Sequence, residues 1–355
     1  MIKVLGLALY GPLAASTRYR LGQYVPGLAS MYIDLQIFHL LGDDYLRERF
    51  GGGSIGLAGL VQSTFARLGD LWRQHDYDVV ILHCELFPLM PGWMERALIR
   101  IPYIYDFDDA FYLKYRNRGL GIASAFLEHK FDIVMAGASA VTAGNHVLSR
   151  YAKQYNRNTH YLPTVVDIER YLPHPARRGG PVFTVGWIGS PSTAPYLSEL
   201  VAPLSALGQE DALRFIVIGG RAPAIPNVEV VEVDWNENTE VELINSFDVG
   251  VMPLPDNDWA RGKCAFKLIQ YMACGVPVVA SPVGANIELI NSRYGLMASK
   301  PQDWIDAIRI FRDQPAIRSE MGDLGKERVT QYYSLHQNLP MLANLIYKAC
   351  YKKKN

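Results

Sequence analysis

Short apolar runs alternate with longer amphipathic stretches along almost the whole chain. In the first half, runs rich in β-branched residues predict buried strands, and the stretches between them carry apolar residues at helical spacing. This alternation is typical of a parallel sheet covered by helices on both faces. The predicted strands are Ile2–Leu9, Leu35–Leu40, Val79–His83, Ile101–Tyr105, Ala140–Ala143 and Thr159–Leu162, with helices at Arg18–Ser30, Leu57–His75, Pro91–Arg100 and His146–Gln154.

The alternation restarts after a segment rich in proline, glycine and arginine, Arg170–Pro181. Such a composition is typical of a linker. We therefore predict an α/β fold with two doubly wound, Rossmann-like domains facing a central cleft, and place boundaries at residues 1–172, 173–332 and 333–355. The second set of predicted elements comprises strands Val182–Ile188, Phe215–Gly219, Val228–Val233 and Val249–Met252, helices Tyr196–Leu207 and Gln302–Arg312, and a closing helix Tyr333–Tyr351.

Composition narrows the class of protein. The 355 residues include 49% hydrophobic residues, and 35 basic residues balance 35 acidic ones, which argues against a protein whose main partner is nucleic acid. None of the four cysteines stands in a CxxC pair, so a zinc site or a disulfide framework is not expected, and a reducing cytoplasm fits best. The N-terminal run reads as a first strand, with a cleaved signal peptide as the alternative, and no segment has the length of a membrane span.

The stretch Gly262–Gly284 carries the clearest candidate for binding chemistry. It predicts a loop, a short helix and a buried strand, with Lys263 and Lys267 four residues apart on one face of the first helical turn. A helix N-terminus already favours anions, so two lysines there would form a seat for a diphosphate. The alternative is an ordinary βα unit with two solvated lysines.

Two small-residue turns follow predicted strands. Gly11 stands where a phosphate-binding turn would be, although no full GxGxxG is present. Gly189 and Ser190, followed by Ser192 and Thr193, offer N–H groups and hydroxyls to a phosphate or a sugar, or simply cap the next helix.

Charged residues gather where the first and fourth strands end. Asp106 and Asp108 share one side of an extended segment, so they could bind Mg²⁺, hold a sugar or supply a general base, while Asp109 points away and caps the next turn. A purely structural capping role for all three is the alternative. Arg18 and Arg20 suit an anionic ligand or acceptor, or a solvated face.

Together these segments resemble the retaining family 4 glycosyltransferases of the GT-B fold, of the bacterial cell-surface polysaccharide type. The resemblance implies an acceptor-side first domain, a nucleotide-sugar-binding second domain, a last helix that crosses back to the first, and no obligatory metal. It covers nearly the whole chain. It is carried by ASTRYRLGQYVP (Ala15–Pro26), YDFDDAF (Tyr105–Phe111), the blocks within Ser139–Asp167, QYMACGVPVVASPVG (Gln270–Gly284) and ANIEL (Ala285–Leu289).

The resemblance also implies roles for individual residues. Most family members carry two glutamates that fall here on Gly262 and Gln270, and an Arg and a Lys that grip the diphosphate are missing. We therefore expect Lys263 and Lys267 to neutralise the diphosphate and Gln270 to hold the ribose. The other expected donor-binding residues are Gly11, Gly189, Ser190, Phe266 and Glu288, with Asp106 and Asp108 facing sugar or acceptor hydroxyls and Arg18, Arg20 and Asp109 on the acceptor side.

The implied function is transfer of a sugar, with retention, from a nucleotide-diphosphate-sugar to a saccharide, lipid-linked or small-molecule acceptor. A non-catalytic nucleotide-sugar-binding protein and a GT-B epimerase are the alternatives. A peripheral contact with the inner face of the membrane is expected through Lys348, Lys352–Lys354 and the loop Lys114–Arg118, with a solvated tail as the alternative.

Overall fold

A computed structural model describes residues 1–50, 53, 56–116, 126–174 and 180–351. The chain divides into two compact units. The first unit comprises Met1–Val165, Gly262–Cys264 and Leu335–Asn355, and the second comprises Val166–Arg261 and Ala265–Ser334. Part of the predicted linker, residues 175–179, lies outside the described residues.

The first unit is built on a six-stranded parallel sheet in the order β2-β1-β3-β4-β5-β6. Its central strands are buried on both faces, which explains their continuous apolar runs. In register, His83 lies opposite Asp106, and Asp106 opposite Thr142. The strands are β1 (Ile2–Tyr10), β2 (Ile33–Leu41), β3 (Val79–His83), β4 (Tyr103–Phe107), β5 (Ala140–Ala143) and β6 (Thr159–Tyr161).

Eight described α-helices belong to the first unit. The predicted helix Arg18–Ser30 is wrong as a single element, since a 3₁₀ turn at Gly22–Tyr24 separates α1 from α2. The second helix begins at Val25 and carries Pro26 in its first turn, where proline is tolerated. The helices are α1 (Ala15–Arg20), α2 (Val25–Ser30), α3 (Asp43–Phe50), α4 (Leu57–Trp72), α5 (Gly92–Leu98), α6 (Lys130–Gly137), α7 (His146–Lys153) and, from the end of the chain, α15 (Leu335–Tyr351).

The closing helix α15 packs within the first unit. Its buried residues Leu342, Leu345 and Ile346 share a core with Val4 of β1 and Val79 of β3. The end of the chain therefore supplies one of the layers that cover the first sheet.

The second unit contains a six-stranded parallel sheet in the order β12-β11-β10-β7-β8-β9. The α/β prediction of two such sheets is confirmed. The strands are β7 (Phe183–Ile188), β8 (Leu213–Ile218), β9 (Glu229–Val233), β10 (Val249–Met252), β11 (Val278–Ala280) and β12 (Leu296–Met297); the helices are α8 (Val201–Glu210), α9 (Glu240–Ile244), α10 (Asp258–Arg261), α11 (Phe266–Ala273), α12 (Ala285–Ile290), α13 (Pro301–Asp313) and α14 (Pro315–Tyr332).

Among the described residues, no helix combines the length and the apolar character needed to cross a membrane. Of the residues expected to touch a membrane surface, Asn117, Arg118 and Lys352–Lys354 lie outside the described residues. Lys114 is described, and its ammonium group pairs with buried Glu85, so it is less available to lipid than predicted.

Candidate functional site

In the second unit, the turn that follows β7 needs glycine at its first position. The N–H of Gly189 donates to Ile218 O at 2.9 Å, which keeps this residue against the sheet. A Cβ built there would lie 2.4 Å from the Trp187 ring and 2.5 Å from Lys267 Nζ. A side chain at this position would therefore displace the lysine, and the sequence-predicted residues Gly189 and Lys267 are neighbours.

Lys267 holds a positive charge over this turn. Its Nζ lies 3.9 Å from the centroid of the buried Trp187 ring and donates a hydrogen bond to Thr193 Oγ1 at 3.1 Å. A cation over an indole face is attracted by the ring quadrupole. The ammonium group is thus held by both Trp187 and Thr193. In the same turn, the Ser190 and Ser192 hydroxyls are joined by a hydrogen bond of 2.8 Å.

The helix that carries Lys267 begins later than expected. Ala265 has a left-handed conformation with φ of 53°, and α11 starts at Phe266. An alanine in this region costs about 1–2 kcal/mol, a strain that often marks functional loops. The prediction that Lys263 and Lys267 share the first helical turn is therefore wrong: Lys263 precedes the helix and belongs to the first unit.

Gln270 lies on α11 in a buried chain of hydrogen bonds. Its Nε2 donates to Tyr171 Oη at 2.8 Å, and that hydroxyl donates to Glu240 Oε1 at 2.7 Å. Glu240 Oε2 accepts from Trp235 Nε1 at 2.8 Å. Since Gln270 is 4% exposed, this network accounts for an amide at this position, and ribose contact by Gln270 stays a prediction.

We expect Tyr171→Phe to destabilise the protein by about 1–3 kcal/mol, because it leaves the buried Gln270 amide and Glu240 carboxylate short of a partner. Urea unfolding of the full chain measures this change. Tyr332→Phe is the matched control, since that residue is 53% exposed and should change stability by less than about 0.5 kcal/mol. An equal loss in both variants would contradict a stabilising network.

Glu288 and Phe266 are the remaining candidates of the second unit. Glu288 is half-buried in the first turn of α12, and its backbone O accepts from Arg328 Nη2 at 2.8 Å. Phe266, also half-buried, packs against the main core of this unit. The structure fixes their positions, and their contacts with a donor stay predictions.

In the first unit, Asp106 is the centre of a buried polar cluster. Its Oδ2 accepts from Arg20 Nε at 3.1 Å and His83 Nδ1 at 2.8 Å, and its Oδ1 accepts from Arg20 Nη2 at 2.5 Å and Thr142 Oγ1 at 2.6 Å. Burial opposes ionisation, but the Arg20 guanidinium and the hydrogen bonds from His83 and Arg20 outweigh it and hold the Asp106 pKa well below its usual range.

This cluster changes the interpretation of two predicted residues. The Arg20 side chain is 1% exposed, and its Nη1 also donates to Leu162 O at 2.6 Å. Direct acceptor contact by Arg20 fits this geometry poorly, because its guanidinium group donates to the buried Asp106 carboxylate and to Leu162 O. The same holds for Asp106, whose side chain is 4% exposed. Instead, Asp106 holds His83 and Thr142 by hydrogen bonds, and Arg20 holds Asp106 and the backbone at Leu162.

His83 is the functional candidate that was not selected from the sequence. An ionised carboxylate only accepts hydrogen bonds, so Nδ1 carries the proton that it donates to Asp106. Its Nε2 is buried without a hydrogen bond among the described residues and lies 4.0 Å from Asp108 Oδ1. The register of β3 on β4 is the signal that could have revealed it, since His83 ends β3 and lies opposite Asp106 near the end of β4.

One group in the described part of the chain could hold a metal ion. The ligand atoms of His83, Cys84 and Asp108 lie within 4.8 Å of one another. A histidine backed by a carboxylate is typical of metal ligands. Burial raises the pKa of the Cys84 thiol, however, and keeps it protonated. That the reaction needs no metal stays a prediction.

Asp109 and the loop Gly262–Cys264 before α11 also belong to the first unit. Lys263 Nζ lies 3.7 Å from Asp109 Oδ1, and Asn145 Nδ2 donates to the backbone O of Gly262 at 2.7 Å and of Lys263 at 3.0 Å. Burial and the neighbouring Asp108 raise the Asp109 pKa to about 6, although Lys263 acts against them. Lys263 thus already has an anionic partner in its own unit.

The loop also explains one departure from the family pattern. A Cβ built at Gly262 would lie 2.6 Å from Ala110 Cβ and 3.0 Å from Ala110 N. The glutamate that the resemblance leads us to expect here would not fit without movement of the backbone. Glycine at this position therefore agrees with close packing of the loop.

Near the end of β1, Gly11 does not offer the N–H group expected of it, and Arg18 is only partly engaged by its neighbours. The Gly11 N–H donates to Leu41 O at 2.8 Å, and a Cβ there would lie 2.4 Å from the Asp43 carboxylate. A phosphate at this turn would meet an acidic side chain. Arg18 Nη1 donates to the backbone O of Pro12 at 2.6 Å and of Leu13 at 2.9 Å, while the side chain stays partly exposed.

Comparison with solved structures shows the fold. Sucrose-phosphate synthase from Thermosynechococcus elongatus superposes with a TM-score of 0.71 at 15% identity, covering 98% of this chain and 99% of that chain. HepE from Anabaena, in complex with UDP and glucose, gives 0.71 at 15% identity over 98% and 100%. A glycosyltransferase from Rickettsia africae gives 0.68 at 11% identity over 98% of each chain.

Sequence comparison is more limited. No curated protein sequence matches the chain significantly. Residues 182–313 match the model of a protein family described as Glycosyl transferases group 1. This segment includes Gly189, Lys267 and Gln270. The chain therefore has the GT-B fold, and much of its second unit matches the model of group 1 glycosyltransferases.

Proposed function

We propose that this protein is a retaining glycosyltransferase of family 4 that transfers a sugar from a nucleotide-diphosphate-sugar to a saccharide or lipid-linked acceptor. The observation that carries the proposal is the position of Lys267. Its ammonium group is held by Trp187 and Thr193 at the Gly189 turn, inside the segment that matches the glycosyltransferase model.

The chemistry of this reaction requires stabilisation of a leaving diphosphate. Negative charge develops on the phosphate oxygens as the bond to the sugar breaks, and a fixed cation stabilises it at no reorganisation cost. Lys267 supplies that cation, and the N-terminal end of α11, an eight-residue helix, adds its dipole. Glu288 would lie near the donor sugar, and Gln270 near the ribose.

The acceptor-side role falls to the first unit. Asp108 is 14% exposed at the end of β4, and Asp109 is 33% exposed, so both carboxylates can accept hydrogen bonds from sugar hydroxyls. Asp106 fixes His83 and leaves its Nε2 available beside Asp108. Arg18 is the candidate for an anionic group on the acceptor.

The proposal also names a donor nucleotide and a cellular role. UDP-sugars are the first donors to test, because the HepE structures contain UDP and UDP-glucose. A role in bacterial polysaccharide synthesis in the cytoplasm agrees with four cysteines that form no disulfide bond.

A thermal-shift screen against UDP, GDP, ADP and TDP sugars tests donor binding. A ligand that binds the folded chain raises the melting temperature as its concentration exceeds its Kd. We expect one nucleotide class to produce a shift, and no shift with any of them would contradict the proposal. Incubation of the stabilising donor without acceptor then separates the rivals, since epimerised donor would indicate an epimerase.

A further inference from the structure

Helix α4 of the first unit turns its charged residues inward. Arg67 and Asp70 are its only charged residues, and both are buried. Arg67 Nη2 donates to Ala8 O at 2.5 Å on β1 and to Phe38 O at 3.3 Å on β2. The charged residues of this helix therefore lie on its buried side, with Arg67 bonded to the sheet, which is the reverse of an ordinary surface helix.

The opposite face of α4 is apolar and exposed. Val61, Phe65, Leu68 and Trp72 recur at helical spacing, with Phe65 70% exposed and Trp72 82% exposed. Between Leu60 and Trp72 no exposed residue carries a charge. A contiguous exposed apolar face of this kind marks an interaction surface.

Free cations lie next to the end of this face. Gln74, just after α4, contacts the end of α5. Its Nε2 donates to Leu98 O at 3.0 Å, and its Oε1 accepts from Arg100 N at 2.7 Å. Beside this junction a cavity of about 340 Å³ is lined by Trp93, Arg96 and Arg100, among others. Neither of these two guanidinium groups has a hydrogen bond or ion pair within the described part of the chain.

We propose that the apolar face of α4 and the arginine-lined cavity beside α5 form a binding surface for an anionic lipid membrane. Phe65, Leu68 and Trp72 would enter the boundary between head groups and acyl chains, as in helices that lie in the plane of the interface. Arg96 and Arg100 would bind lipid phosphates, and exposed Trp93 suits the same depth.

Charge favours a membrane over a second copy of this chain. A two-fold dimer places the same patch on both subunits. Arg96 and Arg100 of both subunits would then lie in one interface, and their like charges would oppose its formation. An anionic bilayer offers both the apolar layer and the phosphates. This inference goes beyond the proposed function and does not depend on it.

Flotation of the full chain with vesicles tests the surface. We expect binding to vesicles of phosphatidylcholine with phosphatidylglycerol, and weak binding to phosphatidylcholine alone. Phe65→Asp with Trp72→Asp should abolish binding. Arg96→Gln with Arg100→Gln should weaken it about 25-fold, at roughly fivefold per cation, and make the remaining binding less sensitive to salt.

Leu172→Asp is the matched control, since this leucine is 60% exposed in the second unit and should leave binding unchanged. Circular dichroism and the donor thermal shift verify that every variant is folded. Absence of flotation, or flotation unaffected by the Phe65 and Trp72 changes, would overturn the proposal. So would a dimeric mass in light scattering that becomes monomeric in the same double variant.

Discussion

Lys267→Ala should weaken donor binding about 10-fold to 100-fold. A hydrogen bond or ion contact to a charged group is worth about 1.5–3 kcal/mol, and each 1.4 kcal/mol corresponds to a tenfold change in Kd. The effect should be similar for every sugar on the same nucleotide, because the lysine would contact the diphosphate and not the sugar. Isothermal titration with the nucleoside diphosphate and with the intact donor measures both values.

Lys267→Met separates charge from packing. The methionine side chain retains contact with Trp187 but carries no charge, so it should lose nearly as much affinity as alanine does. Lys300→Met is the control, because Lys300 is an exposed lysine of the same unit. Unchanged affinity in the Lys267 variants, or an equal loss in the Lys300 variant, would refute the diphosphate role.

The Lys263 side chain should contribute less to donor affinity than Lys267 does. Its ammonium group already lies near Asp109, so part of its charge is neutralised before any ligand arrives. The original expectation that both lysines act as one seat followed from their spacing alone. We now assign the larger role to Lys267, and comparison of Lys263→Ala with Lys267→Ala in the same titration measures the difference.

Asp106→Asn should destabilise the first unit by about 3–5 kcal/mol. It leaves the Arg20 guanidinium buried without a counter-charge, and such a loss costs far more than the net worth of an intact pair. His83 and Thr142 would also lose an ionised acceptor. Urea unfolding monitored by fluorescence measures the change in the free energy of unfolding.

The matched control is Asp44→Asn, which removes an exposed pair with Arg47. The two side chains are 92% and 65% exposed, so the change should be below about 1 kcal/mol. A loss at Asp106 no greater than that at Asp44 would show that the buried cluster does not stabilise the fold.

The acid dependence of stability follows from the same carboxylate. The Asp106 pKa is lower in the folded chain than in the unfolded chain, where it lies at about 3.9. Its contribution is therefore fully present above that unfolded value and is lost as pH falls through the folded one. The deficit of Asp106→Asn should be constant from about pH 5 to pH 8 and shrink below about pH 4.

The fold could be predicted from the sequence because the apolar strands are compatible with few sheet architectures. Runs such as Val79–Leu82 and Val249–Met252 are buried on both faces, and only a parallel sheet under two layers of helices accommodates them. Local breaks were harder to foresee. The 3₁₀ turn at Gly22–Tyr24 and the left-handed Ala265 depend on packing around them, and no periodicity in the sequence encodes either.

For the candidate site, too, some residues could be predicted from the sequence and others could not. Gly189 and Lys267 were identified from turn composition and spacing, and the structure brings them together. The partners of Gln270 could not be found, since Tyr171 is 99 positions away and their hydrogen bond exists only in the folded chain. Arg20 and Asp106 were selected as ligand contacts because they are charged and lie where predicted strands end, but neither property distinguishes a buried pair from an exposed one.

Incubation of the full chain with radiolabelled nucleotide sugars and a pool of polysaccharide and lipid acceptors tests the central claim most directly. We predict that label moves into an acceptor with an equal release of nucleoside diphosphate, that the new linkage keeps the anomeric configuration of the donor, and that Lys267→Ala loses most of this transfer. A donor that binds to the chain yet stays intact with every acceptor would contradict glycosyl transfer.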